Sequence, residues 1–107
     1  MLKKFFSGVQ KTVNTSAGGK YTEIYFSRYP QDKHECVGCS RVLSRSIPRE
    51  VTIDHIVPQK AYGTNAITNL QVLCQPCNSR KKAKIDELIL SYSGAALARE
   101  LKRALGY

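Results

Sequence analysis

The sequence predicts a small α+β domain that is held together by a bound metal ion. Residues 51–53 and Leu70–Leu73 fit two short strands, and a helix follows from Pro76, so strand, loop, strand and helix form the predicted core. One Cys-x-x-Cys pair precedes the first strand and a second follows the second strand; the four cysteines are Cys36, Cys39, Cys74 and Cys77. Because a chain of 107 residues buries a smaller share of its surface than a longer one, a metal cross-link is physically useful.

The four cysteines fit either a metal site or two disulfides, for which three pairings are possible. A Cys-x-x-Cys turn presents two thiolates to one ion at about 2.3 Å each, and two such turns complete a four-thiolate site with no open position for chemistry. The start of the chain lacks the apolar stretch of a secretory leader, so we expect a cytoplasmic location in which disulfides are rare. We therefore expect structural zinc, although four thiolates also fit iron.

The charge of the chain predicts a polyanionic partner. Seventeen Lys and Arg residues against eight Asp and Glu residues give a net charge of +9, which favours nucleic acid. The ordinary alternative is a basic surface kept for solubility or for association with ribosomes. No apolar run is long enough to cross a bilayer, which argues against a membrane partner. The predicted DNA contacts are Arg41, Arg45, Arg80, Lys81, Lys82 and Lys84.

The N-terminal part of the chain carries the weakest signals. Residues 1–19 are predicted to form an N-terminal helix and a flexible joint, because residues 14–19 are rich in Asn, Ser and Gly. The working domain then spans 20–107, with its core at about 36–92. Residues 21–29 fit a helix or a strand, and Pro30 ends either one. Gly38 is expected to give the first Cys-x-x-Cys turn its conformational freedom.

The central elements have clearer local signals. Residues 51–53 are Val-Thr-Ile, which favours a strand that places Asp54 and His55 at its end. Residues 58–69 contain Gly63 and Asn65 and are predicted to be a loop. Leu70–Leu73 alternates apolar and polar residues as a second strand does.

Two helices are predicted to complete the domain. The first turn of a helix tolerates Pro76, and the spacing of the apolar residues extends this helix to Tyr92, before Ser93 and Gly94. A C-terminal helix at about 95–105 follows. Its predicted buried residues are Leu97, Ala98, Leu101 and Leu105.

The segments Ile-Asp-His-Ile-Val-Pro at 53–58 and Asn-Leu-Gln-Val-Leu-Cys-Gln-Pro-Cys-Asn-Ser-Arg-Lys at 69–81 resemble the HNH endonuclease family. The resemblance covers about 46 residues, from Cys36 to Lys81. It implies a ββα-metal fold, also called a His-Me finger, in which two strands and a helix hold one divalent ion. It further implies hydrolysis of phosphodiester bonds in DNA.

The resemblance assigns roles that chemistry supports. His55 is the candidate general base, because a neutral imidazole near pH 7 is well matched to taking a proton from water. Asp54 and Asn78 are implied to hold the catalytic ion. Asn78 stands where many members have histidine, which makes this an HNN variant. An amide oxygen beside a carboxylate favours Mg²⁺ or Mn²⁺ over Zn²⁺.

The resemblance also implies supporting residues, each with an ordinary alternative. Asn69 corresponds to the residue that pins the loop between the strands and so orients the histidine, and Lys81 corresponds to a lysine that contacts phosphate. Asparagine also commonly caps turns and helices, which is the alternative for Asn69 and Asn78. His55 alone would be an ordinary half-buried histidine. His34 has no motif support and is expected at the surface or beside the zinc.

The sequence as a whole predicts a zinc-stabilised HNH nuclease that cuts DNA with little sequence preference, since no separate module for reading bases is evident. The rival from another class is a non-catalytic zinc-ribbon module that binds nucleic acid. Within the enzyme class, the domain fits a phage accessory nuclease or the nuclease part of a bacterial toxin. A toxin would act in the cytoplasm of a target cell and require an acidic immunity protein. Charge alone leaves RNA open as the substrate.

Overall fold

The computed structural model describes residues 17–107, with side chains from residue 20 onward. The chain divides into two compact units, and the division falls after Pro30. The described part of the first unit contains helix α1, Ala17–Arg28. The second unit contains two two-stranded antiparallel sheets and two further helices. The predicted α+β fold class is therefore confirmed.

Helix α1 settles the choice between helix and strand at residues 21–29. The rings of Tyr25 and Tyr29 lie one helical turn apart, with centroids 4.9 Å from each other, and Pro30 follows the helix. The predicted joint at 14–19 was wrong for its last three residues, which are helical. The predicted helix at the start of the chain lies outside the described residues, and the domain limit at residue 20 stays a prediction.

The first sheet is a hairpin that the sequence did not predict. Strands β1, Lys33–Glu35, and β2, Val42–Ser44, pair antiparallel with His34 opposite Leu43. The first Cys-x-x-Cys turn connects them. His34 is buried instead of lying at the surface, and its Nε2 is 2.8 Å from the carbonyl oxygen of Gln31.

The second sheet consists of the two predicted strands. Strand β3, Thr52–His55, pairs antiparallel with β4, Leu70–Leu73, so that Asp54 lies opposite Gln71. The hydroxyl of Thr52 also donates to the Leu73 carbonyl at 2.6 Å. The loop between the strands contains two short 3-10 turns, Gln59–Ala61 and Ile67–Asn69.

Helix α2, Gln75–Leu88, begins as predicted with Pro76 in its first turn. It ends at Leu88 and does not continue to Tyr92, because residues 89–91 form a turn that leaves Leu90 exposed. Helix α3, Gly94–Leu105, ends at Gly106, whose φ of 93° is left-handed. None of the described helices has the length and apolar character needed to span a membrane.

One apolar cluster of the second unit lies between helices α2 and α3. Ile85 of α2 packs with Leu97 and Leu101 of α3 and with Ala61 from the loop. The predicted burial of Leu97 and Leu101 is confirmed. Two other predicted core residues of α3 are only half-buried; they are Ala98 and Leu105.

Candidate zinc centre and active site

The sulfur atoms of the four cysteines form one compact cluster. All four Sγ atoms lie within 4.8 Å of one another. A tetrahedral zinc ion with Zn–S distances of about 2.3 Å separates its sulfurs by about 3.8 Å. The Sγ atoms of Cys39 and Cys74 are 3.8 Å apart, whereas a disulfide needs about 2.0 Å. The cysteines are free thiols, and the cluster fits a tetrahedral zinc ion.

Burial and backbone hydrogen bonds shift two of the thiols in opposite directions. Burial raises the pKa of Cys36, but backbone N–H groups of Cys74, Cys39 and Gly38 donate to its sulfur and lower the pKa to about 6. Burial and the neighbouring thiols raise the pKa of Cys77 to about 12. Because metals bind thiolates, ion binding displaces a proton from Cys77.

Tyr107 covers the cluster, and no motif in the sequence indicated this contact. Its hydroxyl donates to the carbonyl oxygen of Cys77 at 2.9 Å, and the Arg80 guanidinium donates to Cys77 Sγ at 3.1 Å. A Cβ added to Gly38 would lie 2.8 Å from Cys77 Sγ and from the Tyr107 ring. Gly38 is thus needed for space. The conformational freedom predicted for Gly38 is instead required at Ser40, whose φ is 68°.

Asp54 and His55 face opposite sides of the second sheet, because successive strand residues alternate. Asp54 faces α2, where its Oδ2 lies 2.6 Å from Nζ of Lys81. The same oxygen accepts a hydrogen bond from Nε2 of Gln71 at 2.9 Å. His55 faces the loop between the strands, where its Nε2 lies 2.8 Å from Oδ1 of Asn65. The side chains of these two neighbouring residues therefore contact different groups.

Lys81 of helix α2 is buried at the end of β3. Its side chain is 1% exposed, and its ammonium bonds to Asp54 Oδ2 and to the carbonyl oxygens of His55 and Ile56 at 3.1 and 3.3 Å. These three acceptors match the three N–H groups of an ammonium. Lys81 thus ties helix α2 to the end of β3, and its contact with DNA phosphate stays a prediction.

We expect Lys81→Met to destabilise the second unit by about 3–5 kcal/mol, because it leaves the carboxylate of Asp54 buried without its cation. The matched control is Lys82→Met on the exposed side of the same helix, with an expected change of at most about 0.5 kcal/mol. Urea unfolding of zinc-loaded proteins measures both values. Equal free energies of unfolding for the two variants would contradict this account of Lys81.

Asn69 joins the two ends of the loop between β3 and β4. Its Oδ1 accepts the N–H of Val57 at 2.8 Å, and its Nδ2 donates to the carbonyl oxygens of Val57 and Thr64 at 3.1 and 2.8 Å. Its own carbonyl oxygen accepts the N–H of Ile56 at 2.8 Å. These bonds hold the loop against the end of β3, where His55 lies.

The remaining predicted residues lie on α2 and on the first hairpin. Asn78 precedes Lys81 by three residues and therefore lies on the same face of α2, partly exposed. Lys84 is partly buried and pairs with Glu87 at 3.0 Å. The exposed members of the predicted DNA-binding set are Arg41, Arg45, Arg80 and Lys82.

Comparison with family models decides what this arrangement is. The model of the HNH endonuclease family matches residues 36–84. Over this segment the chain is similar to an HNH endonuclease domain. The match spans both Cys-x-x-Cys turns, the Asp54-His55 pair and Asn78. No curated protein and no solved structure matches the chain.

Within the matched segment, β3, β4 and α2 form the ββα unit. The three motif positions are His55 at the end of β3, Asn69 directly before β4 and Asn78 in the first half of α2. The four-cysteine cluster lies outside this unit's motif positions and joins the first hairpin to the start of α2. The match to a nuclease family model indicates nucleic acid as the substrate.

Sequence reasoning missed three residues that contact the site. Asn65 lies in a loop next to other turn-forming residues, so its type suggested only a turn. Gln71 was visible as the polar residue in an alternating strand, and its register opposite Asp54 would have indicated the contact. Tyr107 had no motif that would have identified it.

Proposed function

We propose that this protein is a metal-dependent endonuclease that hydrolyses phosphodiester bonds in DNA, with His55 as the general base. The contact between His55 Nε2 and Asn65 Oδ1 at 2.8 Å carries the proposal. An amide oxygen only accepts hydrogen bonds, so Nε2 holds the hydrogen and Nδ1 of the neutral ring holds the lone pair. Nδ1 takes a proton from water as the water oxygen bonds to phosphorus. The bond between phosphorus and the 3′ oxygen breaks, and the leaving oxygen takes a proton from solvent, so the products carry a 5′ phosphate and a 3′ hydroxyl.

The donor atoms near β3 fit a hard divalent ion. Both hydrogen bonds that the structure gives Asp54 fall on Oδ2, so Oδ1 is the carboxylate oxygen suited to a metal. Asn78 contributes an amide oxygen from the face of α2 that carries Lys81. A divalent ion held by these oxygens would neutralise charge that develops on the phosphate and on the leaving oxygen. Oxygen donors of this kind suit Mg²⁺ and Mn²⁺.

The charge of the chain supports DNA binding through phosphates. The net charge is +9, and four Arg and Lys side chains of the predicted DNA-binding set are exposed. Contacts of this kind position a protein on a duplex but carry no sequence information. We therefore expect weak sequence preference, with unrelated duplexes cut at many positions.

Cleavage of supercoiled plasmid tests the proposal. We expect nicking and then linearisation by the zinc-loaded protein with Mg²⁺ or Mn²⁺, and much slower cleavage when Zn²⁺ is the added ion. The reason is the carboxylate and amide donor set, which is harder than one containing imidazole. A metal titration of the cleavage rate gives the order, and faster cleavage with Zn²⁺ would contradict the assigned ligands.

The same assay separates the nuclease from a zinc-ribbon module that only binds nucleic acid. A binding module would shift the plasmid in a gel without added Mg²⁺. It would cut the plasmid with none of the added metal ions. That result would overturn the proposed activity. Parallel digestion of single-stranded RNA and duplex DNA determines which nucleic acid is the substrate.

A further inference from the structure

We propose that Asn65 is a positioning residue for His55: its side-chain oxygen holds the hydrogen on Nε2 and so keeps the lone pair on Nδ1. The role in catalysis rests on the proposed function, while the effect on the histidine ring stands on the contact itself. Asn65 lies ten residues after His55 and outside the three family motif positions.

The geometry around Asn65 identifies its oxygen as the atom that faces the histidine. Oδ1 lies 2.8 Å from His55 Nε2, which is a short hydrogen bond for a nitrogen donor. Nε2 of Gln59 approaches the same Oδ1 at 3.5 Å. Because two nitrogen atoms approach this one atom, it is best assigned as a hydrogen-bond acceptor, which is the amide oxygen. His55 is 7% exposed, so water competes little for this bond.

The loop is built to bring Asn65 to this place. Asn69 Nδ2 donates to the carbonyl oxygen of Thr64 at 2.8 Å, which fixes the residue directly before Asn65. The N–H of Ala66 donates to the Thr64 hydroxyl at 3.3 Å, which fixes the residue directly after it. The position of Asn65 is therefore set from both sides by bonds that do not involve His55.

Gly63 allows the loop to approach the end of β3. Its N–H donates to the carbonyl oxygen of Pro58 at 2.9 Å, so the chain turns back sharply here. A Cβ at this position would collide with the carbonyl oxygen of Val57. Only glycine fits this approach, and the segment that follows it carries Asn65. Asn69 and Gly63 thus act on His55 through Asn65.

The chemistry of imidazole explains why this contact matters. A neutral histidine has two tautomers, and only the one with hydrogen on Nε2 presents Nδ1 as the base. A hydrogen bond to an acceptor decides which nitrogen carries the hydrogen and fixes the plane of the ring. Without the Asn65 oxygen, the ring can carry its hydrogen on Nδ1 and can turn within its site. A fraction of the molecules would then hold the base in an unreactive form.

Nitrogen-15 NMR of the full chain, at a pH where the rings are neutral, tests the contact without any use of activity. In the wild type we expect one tautomer at His55 with a slowly exchanging Hε2 proton. In Asn65→Ala the Hε2 signal should be lost to exchange, and the ring nitrogen shifts should move towards those of a tautomer mixture. In Asn65→Asp the Hε2 signal and the ring nitrogen shifts of a single tautomer should persist, because a carboxylate also accepts a hydrogen bond. His34, whose Nε2 lies 2.8 Å from a backbone carbonyl, is the internal reference.

Kinetics provide the second measurement. In metal sites, loss of the partner that orients a ligating histidine typically lowers metal affinity or activity by about 10- to 100-fold, and we expect a similar loss of activity for an oriented general base. We expect Asn65→Ala to lower kcat for plasmid by that factor with little change in KM, and Asn65→Asp to restore most of it. Thr68→Ala, an exposed residue of the same loop, is the matched control and should cleave like the wild type.

The outcomes separate this proposal from the proposed function. Unchanged His55 signals in Asn65→Ala would overturn the positioning role, whatever the activity. Loss of the Hε2 signal in a protein whose wild type cuts no nucleic acid would keep the contact and overturn the nuclease. If Asn65→Ala fails to fold, Asn65→Asp decides: hydrogen on Nδ1 in that variant would overturn the proposal, and hydrogen on Nε2 would support it.

Discussion

Removal of the metal from the four-cysteine cluster is expected to unfold the second unit, Gln31–Tyr107. Structural zinc contributes roughly 10–16 kcal/mol in small zinc-binding peptides, which is as large as the total stability of about 5–15 kcal/mol of an ordinary domain. The cluster joins the first hairpin to β4 and α2, and the apolar core formed by Ile85, Leu97 and their neighbours lies elsewhere, between α2 and α3. The hairpin would lose this attachment to β4 and α2.

Circular dichroism during titration with a thiophilic chelator measures this effect. Mg²⁺ is kept in large excess, so that the loss of signal reports the cysteine cluster and not the proposed catalytic ion. Added Zn²⁺ should restore the spectrum. Cys77→Ser, which alters a fully buried ligand, should fail to retain zinc, whereas the exposed neighbour variant Ser79→Ala should behave as wild type. A metal-free protein with an unchanged thermal transition would contradict the structural role.

The elements that sequence reasoning located were those with local signals. Strand β4 alternates apolar and polar residues, β3 is rich in β-branched residues, and Pro76 marks the first turn of α2. Cysteine spacing indicated the metal cluster without knowledge of the fold. Each of these signals depends on a few neighbouring residues, so it can be recognised without knowledge of the tertiary structure.

The features that were missed depend on residues far apart in the chain. The hairpin of β1 and β2 has only three residues in each strand, and neither strand alternates clearly. Lys81 lies in a basic run in which every member looked like a DNA contact, and only the position of Asp54 decides that this one is buried. Lys81 would otherwise be placed at the surface, since lysine is rarely buried without a partner.

Replacement of His55 by alanine is expected to lower plasmid cleavage by about 10²- to 10⁴-fold, the range for loss of a general base. The ring of His55 bonds to Asn65 and does not belong to the cysteine cluster, so zinc content should remain unchanged. The exposed basic residues are also unaffected, so plasmid binding should persist. Cleavage rates at saturating Mg²⁺, with zinc content and a gel shift measured on the same preparation, test this expectation.

His34→Ala is the matched control because His34 is the chain's other histidine and is also buried, with its Nε2 bonded to a backbone carbonyl. The two variants lose the same side chain from two small sheets, but only His55 lies at the motif position. We expect the His34 variant, once shown to be folded, to cleave like the wild type. Cleavage by both variants at the wild-type rate would show that His55 is not the general base. An equal loss of cleavage in both variants would show that the two histidines support the fold and that His55 does not act by proton transfer.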